Sequence, residues 1–437
     1  MWANITEEIK DGILDLSSGD SPQALVVGYS NTSSSEIQPF SRQSDVKKLF
    51  GNGPLSDHLT ILQEYMKENS VLAMRTEGDI KGKTTLISSS GSAEITYDGD
   101  PLYDMLITIT KKEEGFSVQI KHKQEYTFIS ENLEEDFFGI NVTVGEDSEI
   151  GDWWKLKTTR PKSSLKALEQ AIDKALEIYD INFIVIAQDS SVEEVSFWGR
   201  KSDNLFEEHK PAIFLLETTF DQEEDFTSAI NQKIIDFKDI SSRFVSVVAQ
   251  AAYISTNQGK IWGSVLPACL GTLINSSVSK SIGATRDYVV QGISFPRNWT
   301  NLQSKTLDEA RFITLRSYSG LKGLFWSNGI TMADRTSDYR FLETVRTVFK
   351  AIKLARTASL PYIHAPASII GIQNLVSAIR HSLSQMSSAH PKELTSFSVN
   401  VPAGQNFVNN GVLTEISLYG VPIIRKIVLN FGYKYEE

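Results

Sequence analysis

The residue types needed for catalysis are present in this chain, but their spacing frames no reaction. The six histidines are His58, His122, His209, His364, His381 and His390. No two stand three or four residues apart, the separation that sets two metal ligands on one helix face. Asp98, Asp100 and Asp104 alternate like the opening of a calcium loop, yet Ile109 occupies the twelfth position, where a bidentate glutamate belongs. An acidic surface turn is the better reading, and no metal site is expected. Gly51-Asn52-Gly53 lacks the third glycine of a dinucleotide fingerprint and runs into Pro54, so it reads as a turn. The chain contains no Gly-x-Ser-x-Gly elbow and no Gly-x4-Gly-Lys-Ser/Thr phosphate loop.

Asp15, His58 and Ser264 supply the types for a hydrolase triad, as any chain of 437 residues does, without the framing that presents a nucleophile. Cys269, the single cysteine, has no disulfide partner, and its apolar surroundings Val265-Leu266-Pro267-Ala268 predict a buried thiol rather than a reactive one. Gly151-Asp152-Trp153-Trp154 suggests a carbohydrate platform. On a strand, however, the two tryptophans face opposite sides, so one belongs to the core. No catalytic residue and no cofactor is expected.

The elements that would have to position such groups follow from composition and pattern. With 41% hydrophobic and 22% charged residues the chain is of globular type, and its length calls for two or three domains. It starts without a basic and apolar leader and holds no run of about 18 apolar residues, which predicts a soluble product made in a cytoplasm. A net charge of −11 argues against binding nucleic acid through the surface at large. The charge is uneven: residues 131–152 hold eight acidic side chains and no Lys or Arg, whereas residues 321–390 hold eight basic and three acidic ones.

Residues 1–20 carry a few apolar positions, Ile9, Ile13, Leu14 and Leu16, before a Ser/Gly/Pro turn, and read as an arm. Ala24-Leu25-Val26-Val27 is a buried strand, a helix follows Pro54, and Val71-Leu72-Ala73-Met74-Arg75 returns to strand. From about Gly78 the pattern becomes short alternating strands separated by Gly/Asp turns, and at Pro161 the helix-and-strand rhythm resumes. The expected fold class is therefore an α/β core, residues 21–77 and 161–320, with an inserted antiparallel β domain at 78–160. A C-terminal α+β domain at 321–437 contains helices around 338–356 and 369–383 and strands near 394–401, 412–418 and 423–431.

Three stretches resemble contractile tail sheath proteins, the family found in myovirus tails, R-type bacteriocins and related injection systems. Phe50-Gly51-Asn52-Gly53-Pro54-Leu55-Ser56-Asp57 through Val71-Leu72-Ala73-Met74-Arg75 is similar to an early family element, a Gly/Pro turn that opens a helix feeding a buried strand. The span from Gly99-Asp100-Pro101-Leu102-Tyr103-Asp104 to Gly151-Asp152-Trp153-Trp154-Lys155-Leu156 resembles the β-rich decoration of phage sheaths. Asn328-Gly329-Ile330-Thr331-Met332, Ser337-Asp338-Tyr339, Arg346 and Lys350-Ala351 look like the start of the family's C-terminal domain.

The resemblance implies a core called subtilisin-like, without catalytic residues, and a helical homopolymer of stacked rings around an inner tail tube protein. Baseplate and tail terminator proteins would bound that polymer. It implies contraction rather than chemistry, no nucleic acid, no membrane insertion, and assembly in a bacterial cytoplasm into a virion tail or tail-like particle. Linking strands from the chain ends would place Ile13, Leu14 and Leu16, and Ile424, Ile427, Leu429 and Phe431, between subunits. The C-terminal domain's family counterpart lines the lumen. Arg346, Lys350 and Lys353, at i, i+4 and i+7, are therefore expected to form a basic stripe against the tube. The alternatives are a subtilisin-like hydrolase and a carbohydrate-binding baseplate protein.

Overall fold

The computed structural model describes residues 24–433 apart from 33, 92, 123–124, 221–224, 258 and 407–410. The arm with Ile13, Leu14 and Leu16, and with it Asp15, lies outside the described residues.

Strands that are apolar on both faces can exist only between two layers, and the chain supplies several. Ala24–Tyr29, Val71–Thr76, Phe183–Asp189, Ile213–Glu217 and Val245–Val248 are buried almost throughout. They form the centre of a seven-stranded sheet that runs 312–313, 245–248, 213–217, 183–189, 24–29, 71–76, 37–40. All neighbours are parallel except the edge strand Ile37–Phe40, which is antiparallel to Val71–Thr76. The pleat divides each strand between two cores. Ala24 and Val26 join the helices Pro54–Tyr65 and Leu266–Ile274 on one side. Leu25 and Val27 join Leu165–Ile178, Val192–Glu207 and Phe226–Phe237 on the other. Gly53 opens Pro54–Tyr65 with φ of 140°, and a Cβ there would lie 2.8 Å from the Tyr29 carbonyl oxygen. The Gly51-Asn52-Gly53 turn is thus a packing requirement.

Between Val71–Thr76 and Phe183–Asp189 the chain leaves this sheet for a five-stranded antiparallel one, in the order 83–89, 153–159, 105–112, 115–121, 125–130. It has a core of its own, with Ile107, Ile109, Val118, Ile120, Trp154 and Leu156 on one face. Trp154 is fully buried and Trp153 is exposed, as alternation requires. The two crossings are held together: Ile80 bridges to Lys162, Thr76 and Ser163 share a 2.6 Å hydroxyl hydrogen bond, and the Ser164 amide donates to Asp79 at 2.7 Å.

The C-terminal unit begins later than its composition suggests. Trp326, Met332, Leu342, Val345 and Phe349 pack into the two cores of the α/β sheet. A separate cluster starts only at Ala351 and Ala355, against Ile379, Leu383, Met386, Leu394 and Val399. The hydrophobic clusters therefore divide in the middle of the helix Leu342–Ser359, beyond the boundary expected at Leu321. That helix pairs with Ile369–Ser388, and the antiparallel strands Leu394–Asn400 and Glu415–Gly420 follow. Residues 421–433 form no strand, against the expectation for 423–431, and Glu415–Gly420 pairs with Leu394–Asn400 rather than with them. Among the described residues no helix is long and apolar enough to cross a membrane.

Candidate assembly interface

The three cations expected to face a tube share one side of Leu342–Ser359, but the chain itself occupies them. Arg346 is buried, 7% exposed, and donates to the Leu273 and Ser276 carbonyls at 3.1 and 2.8 Å. It also reaches the Ser276 hydroxyl at 2.9 Å and the Ser277 carbonyl at 3.3 Å. These groups close the C-terminal end of Leu266–Ile274, where helical carbonyls lack partners and a cation is favoured. Burial pulls the guanidinium down to about 10. Arg346 therefore has no surface to offer a tube. Lys350 pairs with Glu393 at 2.7 Å, and Lys353 with Asp180 at 2.6 Å and Asn182 at 2.9 Å, tying the helix to the terminal hairpin and to the α/β core. The stripe exists, and its partners are internal.

The end of the chain shows the opposite condition. Among the described residues Leu394–Asn400 and Glu415–Gly420 form a sheet of two strands only, and a two-stranded ribbon alone is marginal in water. Of its side chains only Leu394 and Val399 are buried. Residues 421–433 then run without strand pairing among the described residues while presenting large apolar groups: Ile424 is 81% exposed and Phe431 91%, with Ile427 and Leu429 exposed between them. An ion pair ties this tail to the helix Leu342–Ser359. Arg425 pairs with Glu343, which is buried, and its guanidinium carbon lies 3.5 Å from the Phe341 ring centroid. Open sheet edges beside an unpaired apolar segment are the components of strand addition. Arg425, Glu343 and Phe341 were not singled out from sequence. An acid in a helix's first turn is a visible signal, but its partner 82 residues away is not.

A second site tests the hydrolase alternative. Where the inserted sheet meets the C-terminal ends of the parallel strands, a cavity of about 350 Å³ is lined by His58, Glu217 and Ser264 among others. His58 Nε2 lies 2.8 Å from Glu217 Oε2, and Nδ1 lies 2.9 Å from the Pro54 carbonyl oxygen. Each ring nitrogen therefore already has a hydrogen-bond partner other than Ser264. The Ser264 Oγ instead accepts from the Leu266 amide at 3.1 Å, at the start of Leu266–Ile274. Burial alone would raise the Glu217 carboxyl. The His58 charge and hydrogen bond, a hydrogen bond with the Ser264 side chain and the Arg160 charge reverse that and hold it below the ordinary carboxylate range. In this geometry the dyad is a buried ion pair joining the helix Pro54–Tyr65 to the sheet. Glu217 closes the apolar run Ile213–Leu216, and nothing in the sequence linked it to His58. Cys269 is fully buried, which raises its thiol well above the usual range. Among the described residues no group of His, Cys, Asp and Glu could hold a metal ion.

Two family models cover nearly all of this architecture: DUF2586, N-terminal domain, over residues 2–330, and DUF2586, C-terminal domain, over residues 338–437. The chain belongs to the DUF2586 family. No curated protein sequence matches this DUF2586 chain. Solved structures do match its fold. The sheath tail protein from Desulfitobacterium hafniense shares 12% identity at a TM-score of 0.51, over 96% of this chain and 100% of that one. The anti-feeding prophage helical sheath, in its contracted state, shares 15% at 0.56, over 99% and 98%. The PVC sheath of an extracellular contractile injection system, also contracted, shares 12% at 0.57, over 98% of each chain. The DUF2586 chain therefore has the fold of contractile tail sheath proteins over its whole described length.

Replacing Arg346 by Met keeps the aliphatic stem but leaves the carbonyls of Leu273, Ser276 and Ser277 unpaired. It should cost about 2–4 kcal/mol in urea unfolding. A loss under about 0.5 kcal/mol, the scale of an ordinary surface change, would contradict the buried-cap reading. Because Glu217 has a depressed folded-state pKa, its contribution is present at neutral pH and is lost as pH falls below the ordinary glutamate range, about 4. Glu217→Gln should cost about 3–5 kcal/mol at pH 7 by stranding His58, whereas the double variant His58→Leu, Glu217→Leu should cost far less and unfold less steeply in acid. Equal losses in both variants would show that the two residues do not act as a pair.

Proposed function

We propose that this chain is the structural subunit of a contractile sheath. It polymerises helically through copies of itself around an inner tube protein, bounded by baseplate and terminator proteins, and acts by contraction rather than as an enzyme. The observation that carries the proposal is the terminal arrangement: an apolar tail with no strand partner among the described residues of its own chain, following a sheet in which those residues supply two strands. In a lattice of copies each tail completes a neighbour's hairpin, and backbone hydrogen bonds keep the link intact while subunits rotate. The whole-length likeness to sheath folds supports this reading, as does a His58 ring whose two nitrogens each have a hydrogen-bond partner other than Ser264. The predominantly parallel core is consistent with a subtilisin-like ancestry that has lost its catalytic set. Assembly takes place in the bacterial cytoplasm, and neither nucleic acid nor membrane insertion is required.

The inserted sheet, with its own core and its acidic run, forms the outer decoration. The tube contact lies on the C-terminal unit, and with the basic stripe engaged internally we assign it to the turn between its two helices. There Leu360, Ile363, Ile369 and Ile370 are exposed.

Removing residues 421–437 should leave a folded monomer that forms no long polymer in sedimentation and negative-stain microscopy. The double variant Ile369→Ser, Ile370→Ser should polymerise but form sheaths without tubes when the tube protein is present. Long tubes from the truncated chain would overturn the strand-addition proposal, and tube-filled sheaths from the double variant would remove the assigned tube contact.

A further inference from the structure

Arg425 ties the tail to its own chain, and its position divides the tail. Arg425 reaches Glu343 in the first turn of Leu342–Ser359, while its guanidinium carbon stacks 3.5 Å above the Phe341 ring centroid. Glu343 is 6% exposed, so without Arg425 a nearly buried carboxylate would lose its ion-pair partner. The helix has no side-chain cap of its own, because Phe341 stands at the N-cap, and the Glu343 charge complements the positive end of its dipole. Arg346 lies one turn further along the same helix, among the charges acting around Glu343. The anchor is therefore built into the helix that joins the two cores. It is not a contact of one flexible surface chain with another.

Beyond Arg425 the pattern changes. Ile427, Leu429 and Phe431 recur at every second residue and are exposed, while Lys426, Asn430 and Gly432 fall on the other face with Val428. This is the period of a strand with one apolar face. The anchor engages one side chain and leaves the backbone from residue 426 onward without strand pairing among the described residues. At about 3.3 Å per residue, residues 426–433 reach roughly 26 Å, enough to lie along a strand of six or seven residues such as those of the hairpin.

We infer that the Arg425–Glu343 pair on the face of Phe341 is a fixed post from which the donated strand departs. On this inference residues 426–433 alone cross to a second copy of the chain, and the post stays closed in both the free and the assembled subunit. The inference rests on the strand-addition reading above and adds its starting point. By fixing the exit of the tail, the post reduces the conformational freedom lost on docking and sets which residue of the donor meets the first position of the acceptor edge. Arg425 is in this sense a positioning residue. The interaction that joins the copies lies beyond it.

The test is the critical concentration for polymerisation of the full chain, read by light scattering and sedimentation, with urea unfolding of the monomer as control. Arg425→Gln and Glu343→Gln should each raise it about tenfold, the double variant should raise it no further than either single one, and Arg425→Lys should recover part of the loss. Glu343→Gln keeps the side chain's shape, so its monomer should unfold close to wild type and separate a positioning effect from misfolding. Truncation after Arg425 should abolish polymerisation. Wild-type assembly by Arg425→Gln while that truncation blocks assembly would overturn the post and leave strand addition standing. Improved assembly by Arg425→Gln would overturn it too, since the pair would then be a latch that restrains the tail. Normal assembly by the truncated chain would instead remove the strand-addition reading itself, and the post with it.

Discussion

One helix belongs to two cores. The first half of Leu342–Ser359 buries Leu342, Val345 and Phe349 against the α/β sheet, and the second half buries Ala351 and Ala355 against the C-terminal cluster. A helix is stiff over this length, so whatever is attached to its far end moves with the sheet as one body. Arg346 sits just before the change of core and closes the end of Leu266–Ile274 with four hydrogen bonds. Lys353 ties the same helix back to Asp180 and Asn182, and Lys350 ties it forward to Glu393 beside the hairpin. The helix thus gives the terminal sheet a defined position on a rigid body, which any ordered lattice of copies needs.

What the helix positions is incomplete. Backbone groups in an extended segment are satisfied by a neighbouring strand or by water, and apolar side chains on such a segment gain nothing from water. Residues 421–433 have no strand partner among the described residues and expose Ile424, Ile427, Leu429 and Phe431. The chain buries its other long apolar runs thoroughly: the strands Ala24–Tyr29 and Ile213–Glu217 have no exposed residue. Under the proposed strand addition, this contrast between a buried core and an exposed terminus is what a second copy resolves. The same contrast argues against a hydrolase, because the polar groups at the C-terminal ends of the parallel strands are engaged with each other in the His58–Glu217 pair.

The sequence made the local pattern readable and concealed the partners. Continuous apolar runs placed the strands at 24–29 and 183–189, and alternation around Trp153 and Trp154 placed one ring inside and one out, because both signals reside in consecutive residues. Spacing put Arg346, Lys350 and Lys353 on one face correctly. It could not say what lay opposite, since their partners are 73, 43 and 173 residues away. The pairing of His58 with Glu217, 159 residues apart, was hidden for the same reason. The segment 423–431 has the composition of a strand, yet a strand needs a neighbour's hydrogen bonds, and the described residues of its own chain provide none. The helix expected from Asp338 begins at Leu342 because Ser337 caps a short 3-10 turn, Asp338–Arg340, and Phe341 is extended. The excess of basic residues after Leu321 suggested a surface for a partner, and three of its eight members, Arg346, Lys350 and Lys353, have partners in their own chain.

The most direct measurement is a cryo-EM reconstruction of the polymer at a resolution that traces the backbone. The account predicts density for residues 426–433 as a strand hydrogen-bonded to Leu394–Asn400 or Glu415–Gly420 of a neighbouring copy, with Arg425 still on Glu343 of its own. A polymer in which those residues pair with their own hairpin, or remain in solvent while other surfaces join the copies, would contradict it.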